Sequence, residues 1–265
     1  MILEFFSATD VGRARDNNED SVALDAAAGL IVLADGMGGY NAGEVASQML
    51  TSFVSTELGR WLKDTGREAR AGEVKRAMDI CVDNANRAIF NAANTNQRYA
   101  GMGTTLVLGV FRPEGLLLGH VGDSRAYRLR AGRLMQITRD HSLLQEQIDA
   151  GLLTVEEAAF SSNKNLVTRA VGVEDTVLME LHLHEVQAGD IYLLCSDGLS
   201  DMLDDDTLAS LLNGHRALPE AARALINAAN DNGGRDNIAL ILARAAGRQR
   251  AEGRGWWPFG RRGGN

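Results

Sequence analysis

Short β-forming runs recur along this chain too often for a single sheet to take them all. They fall at 4–8, 21–24, 30–34, 104–111, 115–121, 125–129, 134–138, 177–183, 191–195 and 238–243. Most are Leu-rich or β-branched, and Gly, Asp or Asn bounds them. Tight connections such as Ala131-Gly132 are hairpin turns, so neighbouring strands pair antiparallel. The surplus of strands calls for two sheets stacked face to face. Two longer stretches break the rhythm. Over 44–63, Val45, Met49, Phe53, Leu58 and Trp61 fall near one helical face; over 73–94, Val74, Met78, Cys81, Ala85, Ala88 and Ala92 do the same. Shorter helices are expected at 206–212 and 219–230, where Asp or Pro stands near the start. A helix with one apolar stripe covers a sheet face. The expected fold class is therefore α+β, a four-layer α–β–β–α sandwich of two mainly antiparallel sheets flanked by helices.

Residues 1–246 read as one domain. A polar, helix-containing excursion over about 140–172 interrupts its strands, and the Gly/Arg/Trp tail at 247–265 is expected to be disordered. The formal net charge is -8, against the basic balance of a nucleic-acid binder. Cys81 and Cys195 sit in apolar surroundings without CxxC spacing, as in small core residues of a reducing compartment. The N-terminus has no basic n-region and no apolar run is long enough to span a bilayer, so a cytoplasmic protein without stable membrane insertion is expected.

The position of the aspartates carries the chemistry. Asp20 immediately precedes the run at 21–24, and Asp35 immediately follows the run at 30–34. A hairpin would put both at one end of a sheet. Asp197 follows 191–195 and Asp236 precedes 238–243, which repeats the arrangement; Asp123 follows 115–121. Gly or Ser neighbours most of these aspartates, which lets backbone and water approach closely. Crowded carboxylates repel unless a cation neutralises them, and oxygen-only ligands select Mg²⁺ or Mn²⁺ over zinc. Any one such Asp is more often a turn former or cap; five together make that explanation weak. The glycine-rich stretch Asp35-Gly36-Met37-Gly38-Gly39 is no Walker A loop, because Glu44 stands where Lys is needed. A sharp turn and close backbone approach to a metal explain its glycines better.

Taken in order, four segments resemble the bacterial metal-dependent (PPM, type-2C) serine/threonine protein phosphatases: Arg15-Asp16-Asn17-Asn18-Glu19-Asp20, Ala34-Asp35-Gly36-Met37-Gly38-Gly39, His120-Val121-Gly122-Asp123-Ser124-Arg125, and Cys195-Ser196-Asp197-Gly198 with Gly234-Arg235-Asp236-Asn237. The resemblance covers about residues 4–244 and implies the same sandwich. It implies that Asp35 bridges two Mn²⁺ or Mg²⁺ ions, that the Gly36 carbonyl binds one, and that Asp197 and Asp236 bind the other. Glu19 and Asp20 would act through metal-bound waters, and Asn237 would support the set without touching an ion. Asp123 with Asp197 would hold a third, weaker ion, and Arg15 would hold the substrate phosphate. The implied reaction is hydrolysis of protein phosphoserine and phosphothreonine by a bridging hydroxide, opposing a cognate Ser/Thr kinase, in a monomer. Met37 stands where many eukaryotic members have a histidine, which leaves a metal-bound water as the candidate acid. His120 and His141 are expected to be structural hydrogen-bonders. The excursion at 140–172 matches the bacterial flap, as a lid or as a structural insertion.

Two alternatives stay open on the sequence. One is a metal phosphohydrolase for small phosphate esters or phosphotyrosine. The other is a non-catalytic phosphoprotein-binding module, whose mark would be a lost metal aspartate; none is lost.

Overall fold

A computed structural model describes residues 2–39, 42–65, 68–158 and 166–246. The tail at 247–265 and the centre of the 140–172 excursion, with Asn165, lie outside the described residues. The strands are β1 (Ile2–Asp10), β2 (Asp20–Asp25), β3 (Leu30–Met37), β4 (Gly103–Thr104), β5 (Leu106–Arg112), β6 (Gly115–Val121), β7 (Arg125–Arg130), β8 (Arg133–Gln136), β9 (Glu180–His184), β10 (Ile191–Cys195) and β11 (Ile238–Ala246). The helices are α1 (Ala42–Asp64), α2 (Ala71–Thr95), α3 (Leu143–Asp149), α4 (Val155–Ala158), α5 (Asp197–Ser200), α6 (Asp205–Gly214) and α7 (Leu218–Asp231).

Two antiparallel sheets form the centre, ordered β1-β11-β10-β7-β8 and β2-β3-β5-β6-β9, with β4 paired to β3. Both are covered on the outside, so their strands are apolar on both faces and show little alternation. Along β3, Leu30, Val32 and Ala34 face α1 and α2, while Ile31 and Leu33 face the other sheet. Tyr192, Leu194, Ala239 and Ile241 meet them from the opposite side. Outside the β10–β11 sheet, Leu193 and Leu240 pack against Leu208 of α6 and Leu225 of α7. Burying each such Leu contributes about 2 kcal/mol.

The expected four-layer sandwich is thus the fold. The turn at Ala131-Gly132 joins β7 to β8 with both residues at positive φ (50° and 80°), as a two-residue hairpin loop requires. Several strand boundaries differ from the expectation, and two of the differences have a visible cause. The run at 104–111 breaks at Thr105, whose N–H turns to the Asp35 carbonyl. The run at 177–183 becomes a strand only from Glu180, because Leu178 is exposed and the pairing with β6 begins at Glu180.

Candidate metal centre and active site

The β2–β3 hairpin places Asp20 opposite Asp35 in register. On the facing sheet β10 and β11 run antiparallel, so the end of β10 lies beside the start of β11, leaving Asp197 at the start of α5 and Asp236 just before β11. Asp123 lies beyond β6 after Gly122, whose φ of 101° turns the chain. Each of the four carboxylates Asp20, Asp197, Asp123 and Asp236 acts electrostatically on Asp35, so both sheets contribute to one acidic floor.

This floor is expensive to charge. Burial, then the surrounding carboxylates, push Asp35 and Asp197 well above the ordinary carboxylate range. Burial raises Asp20 to about 7, although the Ser196 hydroxyl opposes the shift. Burial raises Asp123 to about 6, helped by Asp140. Asp35 and Asp197 are nevertheless only half-buried by surface area. Their carboxylates are enclosed by protein on most sides, and the residues keep partial contact with solvent.

The chain spends its local hydrogen bonds on fixing these acids. Asp35 N–H donates to Thr105 Oγ1 (3.0 Å), and its carbonyl accepts from Thr104 Oγ1 (2.9 Å) and Thr105 N–H (2.8 Å). Thr105 Oγ1 also shares a hydrogen bond with Ser124 Oγ (2.7 Å), next to Asp123. Ser196 Oγ donates to Asp20 Oδ2 (2.7 Å) and accepts from Ala239 N–H (2.9 Å). The other oxygen, Asp20 Oδ1, is buried without a partner among the described residues. Asn237 ties down the loop before β2: its amide donates to the Val11 (2.9 Å) and Asn17 (2.8 Å) carbonyls, and its oxygen accepts Glu19 N–H (2.8 Å). Arg15, exposed at the rim, donates to Asp236 Oδ2 at 2.7 Å.

Gly36 is needed for backbone packing. A Cβ there would lie 2.1 Å from the Gly43 carbonyl oxygen and 2.7 Å from that of Glu19. Its N–H donates to the Glu19 carbonyl (3.1 Å). The Cα of Gly36 thus sits tightly against the first turn of α1 and the Glu19 loop.

A family model described as protein phosphatase 2C matches residues 12–243. The chain belongs to the protein phosphatase 2C family. It is 40% identical over 246 residues to the serine/threonine protein phosphatase PstP of Mycobacterium tuberculosis (strain CDC 1551 / Oshkosh), covering 92% of this chain and 45% of that protein. It is 36% identical over 237 residues to the serine/threonine phosphatase stp of Listeria innocua, covering 88% of this chain and 92% of that one. The catalytic domain of PstP solved in complex with 2 manganese ions superposes with a TM-score of 0.81 at 38% identity, covering 92% of this chain and 99% of that one. The chain thus spans about half the length of the Mycobacterium relative and nearly all of the Listeria one.

Within this 2C-family frame, the structure brings together Arg15, Glu19, Asp20, Asp35, Gly36, Asp123, Asp197, Asp236 and Asn237. Arg15 pairs with Asp236, and not with Asp16 or Glu19, the partners its sequence neighbourhood suggests. The all-oxygen donor set, the mutually repelling buried acids and the unpartnered Asp20 Oδ1 fit hard divalent cations.

Sequence reasoning missed Asp201. It follows α5 and raises both Asp197 and Asp123. Its four-residue spacing from Asp197 was the available signal. It also missed Thr105 and Ser196, whose roles depend on contacts far along the chain.

His120, His141 and Glu180 also bring possible ligand atoms within 4.8 Å of one another. The imidazoles are stacked, however, at 4.7 Å and 15°, so their lone pairs do not converge on one ion. His120 Nε2 donates to the Arg139 carbonyl (2.7 Å), and His141 Nδ1 accepts Gly122 N–H (3.2 Å). Burial lowers both, His141 to about 4, so they are neutral hydrogen-bonding groups at neutral pH. His141 joins the Asp123 loop to the root of the excursion, because its carbonyl accepts Thr168 N–H (2.8 Å).

Proposed function

We propose that this chain hydrolyses phosphoserine and phosphothreonine esters in proteins, at a centre holding two Mn²⁺ or Mg²⁺ ions and a third, weaker one. The observation that carries this reading is the floor of enclosed carboxylates from both sheets with Arg15 at its rim, bonded to Asp236. Asp35, the Gly36 carbonyl, Asp197 and Asp236 would hold the core ions, with Glu19 and Asp20 acting through water. Asp123 and Asp197 would hold the third. Bound there, such ions supply Lewis acidity and charge neutralisation for attack of water on phosphorus.

The protein's own groups do the remaining work. Arg15 donates to Asp236 through one nitrogen and has further N–H groups for phosphate oxygens, where charge-assisted bonds orient the ester. The Thr104, Thr105 and Ser196 hydroxyls and the Asn237 amide hold the acids in place before substrate arrives, so little reorganisation is needed during reaction. Met37 is a side chain without a usable proton and takes no part in protonating the leaving alkoxide.

The relatives' names, serine/threonine phosphatases, support phosphoproteins as substrates and a Ser/Thr kinase as the opposing enzyme. Residues 1–246 would form the catalytic domain and 247–265 an appended tail, in a cytoplasmic monomer. Among the described residues, no helix is long and apolar enough to cross a membrane. The test is turnover of pSer, pThr and pTyr peptides and of a small aryl phosphate, with and without Mn²⁺. Mn²⁺-dependent release from pSer and pThr peptides is expected. Turnover of the small ester alone would make the protein a general phosphohydrolase, and binding without turnover a recognition module.

A further inference from the structure

A groove of about 870 Å³ runs between α1 and α2, on the outer face of the β2–β3 sheet. Phe53 and Trp61 of α1 and Ala77 and Ile80 of α2 line it, with Cys81 at its floor. Ile80 is 54% exposed, an apolar side chain on the outward part of α2 beside exposed Arg76 and Asn84.

The described chain leaves the fold at the same end of the sandwich. β11 finishes at Ala246, paired with Ile2, whereas its other end, Ile238 with Asp10, adjoins Asp236 and the carboxylates. In the second sheet the end remote from Asp20 and Asp35 is marked by Asp25 and Leu30. The two remote ends coincide: Phe5, near the start of β1, meets Phe111 edge-on at 5.6 Å, and Phe111 N–H donates to the Gly29 carbonyl beside Leu30. The C-terminal half of α1 overhangs this end. Lys63 bonds Asp25 at 2.7 Å, and Gly59 approaches Leu30. That half of α1, from Phe53 to Asp64, lines the groove.

The sequence after Ala246 has a matching composition. Trp256-Trp257-Pro258-Phe259 is the aromatic segment of the tail, and the nine residues 247–255 connect it to β11. Crossing one sheet-to-sheet spacing and one helix layer takes roughly 20–25 Å. Nine extended residues reach about 30 Å. A covalent tether of that length holds the segment at roughly millimolar effective concentration over the groove, so modest intrinsic affinity is enough. Proline restricts the backbone of the segment and lowers the ordering cost. Glu57, Asp64 and Glu73 lie on the rim with arginines between them, so aromatic burial, more than charge, would select the site.

We propose that Trp256-Trp257-Pro258-Phe259 docks in cis in the α1–α2 groove, covering Phe53, Trp61 and Ile80 on the face remote from the carboxylate centre. The test is the maleimide reaction rate of Ile80→Cys, with the label located by mass spectrometry. Three forms are compared: the full chain, the chain ending at Ala246, and the full chain carrying Trp256→Ala, Trp257→Ala and Phe259→Ala together. All the described elements remain in each form. Docking in cis makes the full chain react at least severalfold more slowly than the other two, independent of protein concentration. Equal rates in all three forms would overturn the proposal, as would full protection in the triple variant. Protection that disappears on dilution, with a dimer seen by light scattering, would assign the groove to a second copy instead. Protection seen only with anionic vesicles would assign the tail to a membrane surface.

Discussion

Asp20 and Asp35 are direct cross-strand partners in the β2–β3 ladder, and no basic side chain of the described residues is hydrogen-bonded to either. Two acids facing each other repel, and such a pair weakens a hairpin unless something else neutralises it. Here burial and three further aspartates deepen the penalty. The fold therefore stores an electrostatic cost that cations are suited to relieve. Activity on an aryl phosphate should accordingly require added Mn²⁺ or Mg²⁺ and vanish with EDTA. Full turnover after exhaustive chelation would remove the two-ion proposal.

The same cost sets a pH dependence for the metal-free protein. Asp20 and Asp123 are raised in the folded state, to about 7 and about 6, and Asp35 and Asp197 further. A raised carboxylate means that the folded protein binds more protons than the unfolded one, so stability falls as pH rises. The loss begins near the unfolded value of about 4 and continues through the folded values. The melting temperature of the chelated protein should fall between about pH 4 and pH 7, and Mn²⁺ should restore it near neutrality. A chelated protein whose melting temperature rises across that window would show that the acids are not held as described.

Asp35→Asn removes one charge from the middle of this set. It should lower turnover by at least about a hundredfold, equivalent to about 3 kcal/mol. In the chelated state it should melt no lower than wild type, because a repelling charge has gone. Wild-type turnover at saturating Mn²⁺ would reduce Asp35 to a turn residue.

How much of this was legible follows from the kind of information each part needs. The aspartates at strand ends were visible because a hairpin converts sequence adjacency into spatial adjacency, as for Asp20 and Asp35. The two long helices were visible from one apolar face each, and the structure extends them by only a residue or two at either end. Thr105 was not visible, since it serves Asp35 from 70 residues away through backbone and hydroxyl bonds that leave no periodic trace. The apolar run at 177–183 overstates its strand, because Leu178 is apolar in type yet 74% exposed. Arg15 was placed by its motif, but its partner Asp236 lies 221 residues on and could not be chosen over nearby Asp16.

Arg15→Ala should raise KM for phosphopeptides and weaken inhibition by free phosphate, with Mn²⁺ affinity little changed. Loss of a charge-assisted bond of about 2 kcal/mol corresponds to roughly thirtyfold in kcat/KM. Calorimetry showing lost metal binding with unchanged phosphate inhibition would assign Arg15 to support of Asp236 alone.

Asn237→Ala should act on the loop before β2. It deprives the Glu19 N–H and the Val11 and Asn17 carbonyls of their partner. Leaving such groups unpaired costs about 2–4 kcal/mol in total. Urea denaturation should show that loss, and turnover should fall with it because Glu19 and Arg15 belong to the released loop. An unchanged midpoint would mean that water replaces the amide at no cost.

Asp123 separates the core pair of ions from the third. It reaches the centre from the end of β6, where Asp140 and Asp201 raise it, Arg125 opposes them, and it acts in turn on Asp197 and Asp35. An ion there has few protein carboxylates and many waters, so it should bind weakly. Asp123→Ala should leave two ions bound at low Mn²⁺ and preserve the fold. It should relieve repulsion on Asp197, so the chelated variant should melt at or above the wild-type temperature. Turnover on phosphopeptides should nevertheless fall, and the Mn²⁺ concentration needed for half-maximal rate should change. If Asp123 only shaped the turn after Gly122, the variant would melt lower and keep the wild-type rate per folded molecule. Titrating turnover against Mn²⁺ alongside thermal melting distinguishes the two, because the ion-binding role moves the rate and the turn role moves only the melt.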